Sequence, residues 1–221
     1  MNYLSYRVRQ IFTFIILPAL LALSVFAASS SIPAFAETAP RIVVLGDSLA
    51  AGYQLPSGAS FPDRLQLALD NKNTPAVIIG AGVSGDTSSG GLARLAWSVP
   101  DDANAVILEL GANDALRGLP PKATAENLEK MIQQLTDRKI KVLLVGMLAP
   151  PNMGEDYAAA FNPIYKSLAD KYDLPLYPFF LDGVMTVPGM TLADGMHPNE
   201  QGVDVMVKGI LPLVEDLIKS L

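Results

Sequence analysis

The chain has 221 residues, and its 16 lysines and arginines against 22 aspartates and glutamates give a formal net charge of −6 at pH 7. An acidic chain without a basic patch is not expected to bind nucleic acid, because neutralisation of phosphates supplies most of that affinity. The chain contains no cysteine and one histidine. These counts exclude disulfides and a zinc site of the usual cysteine and histidine type.

Residues 1–36 are predicted to form a secretory signal peptide. Arg7 and Arg9 provide a short positive region, residues 11–28 are almost wholly apolar, and Ala34-Phe35-Ala36 offers small residues for cleavage. This order of features is typical of signal peptides. We therefore expect a periplasmic or secreted protein.

A retained membrane anchor is the alternative, since about 18 apolar residues just span a bilayer. Pro18 inside the apolar run and the small residues after it favour cleavage, which leaves no stable membrane anchor. Residues 37–221 are then long enough for one domain with a full hydrophobic core.

Five short apolar runs are predicted to be strands buried on both faces, because none of them alternates polar with apolar residues. These runs are 42–45, 76–80, 105–110, 142–146 and 176–180. Helical patterns lie between them, at 61–69, 125–135, 157–169 and 203–221. The alternation of strands and helices predicts a doubly wound α/β sandwich around a parallel sheet.

A serine follows the first predicted strand, which ends at Gly46. In an open α/β sheet the carboxyl ends of the strands are where ligands bind, so Ser48 is a candidate nucleophile. A serine needs a base, and His197 is the one histidine of the chain. Asp194 could orient Nδ1 of that histidine and leave Nε2 free for Ser48. The plainer alternatives are a surface histidine and an Asp-Gly turn at Asp194.

Other strand ends carry candidate oxyanion donors. The backbone N–H of Gly85 and the side-chain amide of Asn113 could both stabilise a developing negative charge, although either residue also suits an ordinary turn. Asp86, Asp114 and Arg117 are interpreted as residues that brace these loops. Arg94 and Trp97 lie on a short helical stretch and are interpreted as packing or solvent-facing residues.

Residues 80–85 match the pattern G-x-G-x-x-G, which is also a dinucleotide-binding fingerprint. The match follows the second strand rather than the first, which is where the fingerprint usually stands. We therefore expect no nucleotide site and no cofactor.

Four segments of the chain together resemble the four sequence blocks of the SGNH, or GDSL, hydrolases. These segments are Gly46-Asp47-Ser48-Leu49, Gly85, 111–114 and 194–197. The segments 84–95 and 110–118 further resemble the periplasmic branch of that family, which contains multifunctional thioesterases, lysophospholipases and arylesterases.

The resemblance implies a flavodoxin-like three-layer sandwich with a five-stranded parallel sheet. It implies that Ser48 is the nucleophile, His197 the base and Asp194 its orienter, with an oxyanion hole made by Ser48, Gly85 and Asn113. Ala112 departs from the second glycine that this branch often has.

The resulting hypothesis is an exported serine esterase that cleaves small acyl esters or thioesters through an acyl-enzyme and acts as a monomer by default. Apolar residues near the strand ends favour an acyl chain as the substrate group, namely Leu116, Leu119, Met147, Leu148 and Met153. A carbohydrate deacetylase on the same fold and a non-catalytic binding protein are the alternatives.

Overall fold

The computed structural model describes residues 39–221, and the predicted signal peptide lies outside these residues. Five strands alternate with helices along the described chain. The strands are β1 Arg41–Gly46, β2 Val77–Gly82, β3 Ala105–Glu109, β4 Lys141–Val145 and β5 Leu176–Tyr177. The helices are α1 Ser48–Ala51, α2 Phe61–Asn71, α3 Ser88–Ser98, α4 Ala112–Leu116, α5 Pro121–Asp137, α6 Glu155–Phe161, α7 Ile164–Tyr172 and α8 Glu200–Lys219.

The five strands form one parallel sheet in the order β2-β1-β3-β4-β5. This order is that of flavodoxin-like folds, so the predicted fold class is confirmed. The order reverses between β1 and β3, and a crevice opens at such a switch point outside the carboxyl ends of the strands. The register pairs Leu45 with Leu108, so the residues that follow β1 and β3 lie side by side.

Apolar side chains on both faces of the sheet make the hydrophobic core. The central strands β1 and β3 are buried along nearly their whole length, as a parallel sheet covered on both faces requires. On the helical layers, α2 packs against α8, while α5 packs against α3 and α7. Among residues 39–221, no helix is both long and apolar enough to span a bilayer.

Two predicted elements differ from the structure because of prolines. The single helix predicted at 157–169 is wrong: it is divided into α6 and α7 at Pro163, which has no N–H to continue the helical bonds. The last strand was predicted over 176–180 but ends at Tyr177, because Pro178 cannot donate to the ladder.

Candidate active site

Ser48 stands at the first position of α1, directly beyond the end of β1. Asp47 caps this short helix, because its Oδ1 atom accepts a hydrogen bond from the N–H of Leu49 at 3.0 Å. Gly46 has to be glycine, since a Cβ atom there would overlap Oε2 of Glu109 on β3. The turn therefore delivers the Ser48 hydroxyl to the carboxyl edge of the sheet, at the switch point.

The structure brings the three residues Ser48, His197 and Asp194 into one hydrogen-bonded chain. Oγ of Ser48 lies 2.9 Å from Nε2 of His197, and Nδ1 of that imidazole lies 2.7 Å from Oδ2 of Asp194. A serine whose hydroxyl meets a base, with the base held by a carboxylate, has the geometry of an activated nucleophile.

The Asp194 carboxylate is held in its ionised form. Its Oδ1 atom accepts hydrogen bonds from the backbone N–H groups of His197, at 3.0 Å, and Met196, at 2.9 Å. These two bonds, with a further contribution from the imidazole, lower the pKa of Asp194 to about 2. An ionised Asp194 attracts the proton of His197 to Nδ1, which leaves Nε2 free to accept from Ser48.

A tight hairpin just before α8 presents both Asp194 and His197. The N–H of Leu192 donates to the carbonyl of His197 at 2.8 Å, and Thr191 pairs with Pro198 in an antiparallel bridge. The turn needs Gly195, whose φ of +69° is a left-handed conformation that favours glycine. The base and its carboxylate are therefore positioned by local structure.

The candidate oxyanion donors Ser48, Gly85 and Asn113 belong to three chain segments that follow the carboxyl ends of β1, β2 and β3, which are neighbours in the sheet. Among the described residues, the backbone N–H groups of Ser48 and Gly85 donate to no acceptor in the chain, so both are free for a substrate. Nδ2 of Asn113 donates one hydrogen bond to Oδ2 of Asp47 at 2.9 Å, which leaves its second N–H available. This arrangement can hold a negatively charged oxygen beside Ser48.

The loop that carries Gly85 is fastened by two arginines. Arg117 donates to the carbonyl of Gly85 at 2.7 Å, and Arg94 pairs with Asp86 at 2.7 Å. These contacts agree with the interpretation of Asp86 and Arg117 as bracing residues.

Of the two interpretations of Arg94, the structure excludes the solvent-facing one. Its guanidinium is buried and donates to the carbonyls of Ala81 and Gly46, both at 2.8 Å. It therefore ties the ends of β1 and β2 to Asp86. By contrast, Trp97 is largely exposed, with 75 % of its surface accessible.

Two buried carboxyl groups behind Ser48 were missed by the sequence reasoning. The backbone N–H of Asp47 donates to Oε2 of Glu109 at 3.2 Å. Burial raises the pKa of Asp47 to about 6, although hydrogen bonds from Leu49 and Asn113 oppose the rise. Burial, and then the nearby Asp47, raise the pKa of Glu109 well above its ordinary value.

These shifts give the two groups different states near neutral pH. Burial favours the protonated form of Glu109 more strongly than that of Asp47, whose carboxylate accepts a hydrogen bond from the Asn113 amide. Asp47 thus orients a candidate oxyanion donor. A signal for Glu109 was present, since a charged residue at the end of a buried apolar strand is unusual.

The residues predicted to contact an acyl chain occupy different environments. Leu116 and Leu148 are exposed, and Leu119 and Met153 are half-buried. Met147 belongs to the hydrophobic core and is only 5 % exposed, because it directly follows the sheet at β4. It therefore has little surface to offer a substrate.

Within the part of the chain that the structure describes, no group of three or more His, Cys, Asp or Glu residues is arranged to hold a metal ion.

The sequence and the fold are similar to those of known esterases. The chain is 38 % identical to an arylesterase of Vibrio mimicus over 189 residues, which cover 85 % of the chain and 93 % of that protein. It is also 38 % identical to thioesterase 1/protease 1/lysophospholipase L1 of Escherichia coli over 184 residues, covering 81 % of the chain and 87 % of the relative.

Among solved structures, the esterase AlinE4 of the SGNH-hydrolase family superposes with a TM-score of 0.68 at 44 % identity. The superposition covers 80 % of the chain and 96 % of AlinE4. Residues 44–205 match the model of the GDSL-like Lipase/Acylhydrolase family. The resemblance seen in the sequence is thereby confirmed: the chain is a member of the GDSL-like lipase/acylhydrolase family.

Proposed function

We propose that the protein is an exported serine esterase that hydrolyses acyl esters and thioesters through an acyl-enzyme on Ser48. The single observation that carries this proposal is the continuous chain from Oγ of Ser48 through the imidazole of His197 to the carboxylate of Asp194. A binding protein has no use for that arrangement. The names of the relatives, which include arylesterase and thioesterase, support an acyl group as the part of the substrate that is transferred.

The reaction begins when Oγ of Ser48 attacks the acyl carbonyl carbon and its proton passes to Nε2 of His197. The carbonyl oxygen becomes negatively charged and accepts hydrogen bonds from the N–H groups of Ser48 and Gly85 and from the Asn113 amide. Asp194 stabilises the imidazolium that has formed. These groups are fixed before the substrate arrives, so little reorganisation is required.

The imidazolium then gives its proton to the leaving alcohol or thiol, and the bond from the carbonyl carbon to that group breaks. The acyl group remains as an ester on Ser48. A water molecule gives a proton to His197 and attacks the same carbon. The bond from that carbon to Oγ then breaks, His197 returns the proton to Oγ, and the carboxylic acid is released. The acid and the alcohol or thiol leave as separate products, and the proposal needs no cofactor.

The acyl chain is proposed to lie along the exposed apolar residues Leu116 and Leu148, with half-buried Leu119 beside them. Leu116 is the last residue of α4, and Leu119 and Leu148 lie in loops beyond the ends of β3 and β4. Apolar contacts of this kind suit an aliphatic chain better than a sugar, whose recognition usually requires aromatic surfaces and polar groups.

The direct test is hydrolysis of p-nitrophenyl esters from acetyl to palmitoyl, with the native protein beside Ser48→Ala. The proposal expects activity on medium or long chains that disappears in the variant, together with labelling of Ser48 by a fluorophosphonate. Activity confined to the acetyl ester would favour a deacetylase. Absence of both Ser48-dependent hydrolysis and labelling would leave a binding protein.

Export is a separate part of the proposal, and it rests on the order of charged, apolar and small residues in 1–36. Expression of the full chain in a bacterium with two membranes tests it. The expected mature protein begins at Glu37 and appears in the periplasmic or culture fraction. A product that retains residues 1–36 in the membrane fraction would instead support an uncleaved anchor.

A further inference from the structure

The aromatic ring of Tyr53 lies over one face of the His197 imidazole. The two ring centroids are 4.5 Å apart, and the ring planes are tilted by 38°. Tyr53 is 39 % exposed and belongs to no part of the hydrophobic core, so burial of apolar surface does not explain its position. Tyr53 thus packs against the imidazole ring, while the two ring nitrogens of His197 lie within hydrogen-bond distance of Asp194 and Ser48.

The backbone on both sides of Tyr53 adopts an uncommon conformation. Gly52 has a φ of +73° and Gln54 a φ of +57°, so left-handed residues flank Tyr53 on both sides. A non-glycine residue in this region costs free energy and persists only where the surrounding structure enforces it. Such residues concentrate at functional sites.

The same turn is attached to the helix that carries the nucleophile. The backbone N–H groups of Gly52 and Tyr53 both donate to the carbonyl of Ser48, the second at 3.2 Å. A Cβ atom at position 52 would lie 2.7 Å from Cβ of Ser60, so the turn is also packed closely against the start of α2. Tyr53 and Ser48 therefore belong to one hydrogen-bonded segment, and His197 contacts both residues.

The charge on His197 changes during the proposed reaction, and the ring responds to that change. The face of an aromatic ring is the negative side of its quadrupole and attracts a cation within about 6 Å. The neutral imidazole gains little from this attraction, whereas the imidazolium formed on proton transfer gains more. An interaction that is stronger in the transition state than in the ground state increases the rate.

We propose that Tyr53 is a positioning residue whose ring holds the His197 imidazole in place and stabilises the imidazolium formed when Ser48 loses its proton. This inference rests on the proposed function. Tyr53 exchanges no proton: the Ser48 proton passes to Nε2 and from there to the leaving group. The charged groups that face the imidazole are Asp194, on its own hairpin, and Asp47, which interacts with it from the start of α1.

The test compares Tyr53→Leu, Tyr53→Phe and Tyr53→Trp in steady-state hydrolysis of p-nitrophenyl butyrate between pH 4.5 and 9. In Tyr53→Leu, we expect kcat to fall about 2- to 5-fold, which corresponds to the strength of an exposed cation–π contact. The midpoint of the acid limb of the kcat/KM profile should move to lower pH by about 0.4–0.7 unit, because the protonated base has lost a stabilising partner.

The aromatic replacements should behave differently from leucine. Tyr53→Phe keeps the ring and is expected to retain both the rate and the acid limb, and Tyr53→Trp should match or exceed them. Trp97→Leu is a control for the loss of an aromatic ring, since Trp97 on α3 is 75 % exposed and has no part in the turn around Tyr53. It should behave as the native protein.

Two results would overturn the inference while leaving the proposed esterase intact. One is a Tyr53→Leu variant whose acid limb does not move, including the case where only KM changes, which would make Tyr53 a substrate contact. The other is a Tyr53→Phe variant as impaired as Tyr53→Leu, which would assign the effect to the hydroxyl. If the native protein is not labelled by a fluorophosphonate and shows no Ser48-dependent hydrolysis, the proposed function is refuted, and this inference with it.

Discussion

Replacing Glu109 by glutamine should stabilise the protein relative to the native form, and this advantage should grow as the pH rises, because the native side chain resists ionisation inside the fold. Glu109 is almost wholly buried, and its Oε1 atom has no hydrogen-bond partner among the described residues. Its pKa is raised well above the ordinary value of 4.5, mainly by burial. Glutamine has the same shape, can still accept from the N–H of Asp47, and has no charge to lose.

The magnitude follows from linkage between protonation and folding. Above pH 4.5 the unfolded chain releases the Glu109 proton while the folded chain retains it, so the native free energy of unfolding falls as pH increases. The loss is about 1.4 kcal/mol for each pH unit, up to the folded-state pKa. Glu109→Gln has no such proton to lose, so its free energy of unfolding rises relative to that of the native protein by about 1.4 kcal/mol for each pH unit in this range.

Thermal unfolding at pH 5, 6 and 7 measures the effect. For a domain of this size, 1.4 kcal/mol corresponds to a change in Tm of about 3–6 °C, and the difference between the two proteins should widen as the pH rises from 5, by up to this amount for each pH unit. Any constant offset from burying an amide cancels in this comparison. Glu126→Gln, which removes an exposed carboxylate, should run parallel to the native protein. A parallel course for Glu109→Gln would show that Glu109 is ionised in the fold and would refute the reasoning.

Three further predictions concern the site and its supports. Asn113→Ala removes one oxyanion donor and should lower kcat about 10²- to 10³-fold with little change in KM, measured on p-nitrophenyl esters; an effect confined to KM would contradict the role. Arg94→Met leaves the carboxylate of Asp86, whose side chain is only 13 % exposed, without its partner, so urea titration should give a loss of about 3–5 kcal/mol in the free energy of unfolding, and a loss below about 1 kcal/mol would contradict that pairing. Because the pKa of Asp194 is lowered to about 2, the stability it contributes is present above pH 3.8 and is lost as pH falls towards 2. Asp194→Asn should flatten thermal stability in this interval, and an unchanged slope would contradict the shift.

Much of the fold could be predicted because the central strands of a parallel sheet are continuous apolar runs. The ends of those runs located Ser48, Gly85 and Asn113 at one edge. The pairing of Asp194 with His197 was also accessible, since three residues of sequence separate them and a local turn brings them together.

Long-range partnerships were not predictable from the same patterns. Arg94 is a single charged residue on a short helix, and nothing in its neighbourhood indicates that it reaches the carbonyl of Gly46, 48 residues away. The position of Tyr53 over His197 depends likewise on two left-handed residues and on the docking of a distant hairpin.

The glycines of residues 80–85 show why a short motif is a weak guide. A Cβ atom at Gly82 would overlap the backbone of Ala51 in α1, and Gly85 adopts a φ of +80°. Both residues are therefore required by close packing and by a turn. In dinucleotide-binding proteins, glycines in this pattern bind a pyrophosphate. In this chain, Gly82 allows α1, the helix that begins at Ser48, to approach the sheet.

The 149 residues that separate Ser48 from His197 have a consequence for how the protein is made. A ribosome synthesises Ser48 long before His197, which lies shortly before α8, the last helix. That helix is attached to α2 by the ion pairs of Arg64 with Glu200 and of Lys72 with Glu215, both at 2.8 Å. Under the proposed mechanism, a nascent chain carries an unactivated Ser48 until α8 docks, and hydrolytic activity then reports that the chain has folded through its last helix.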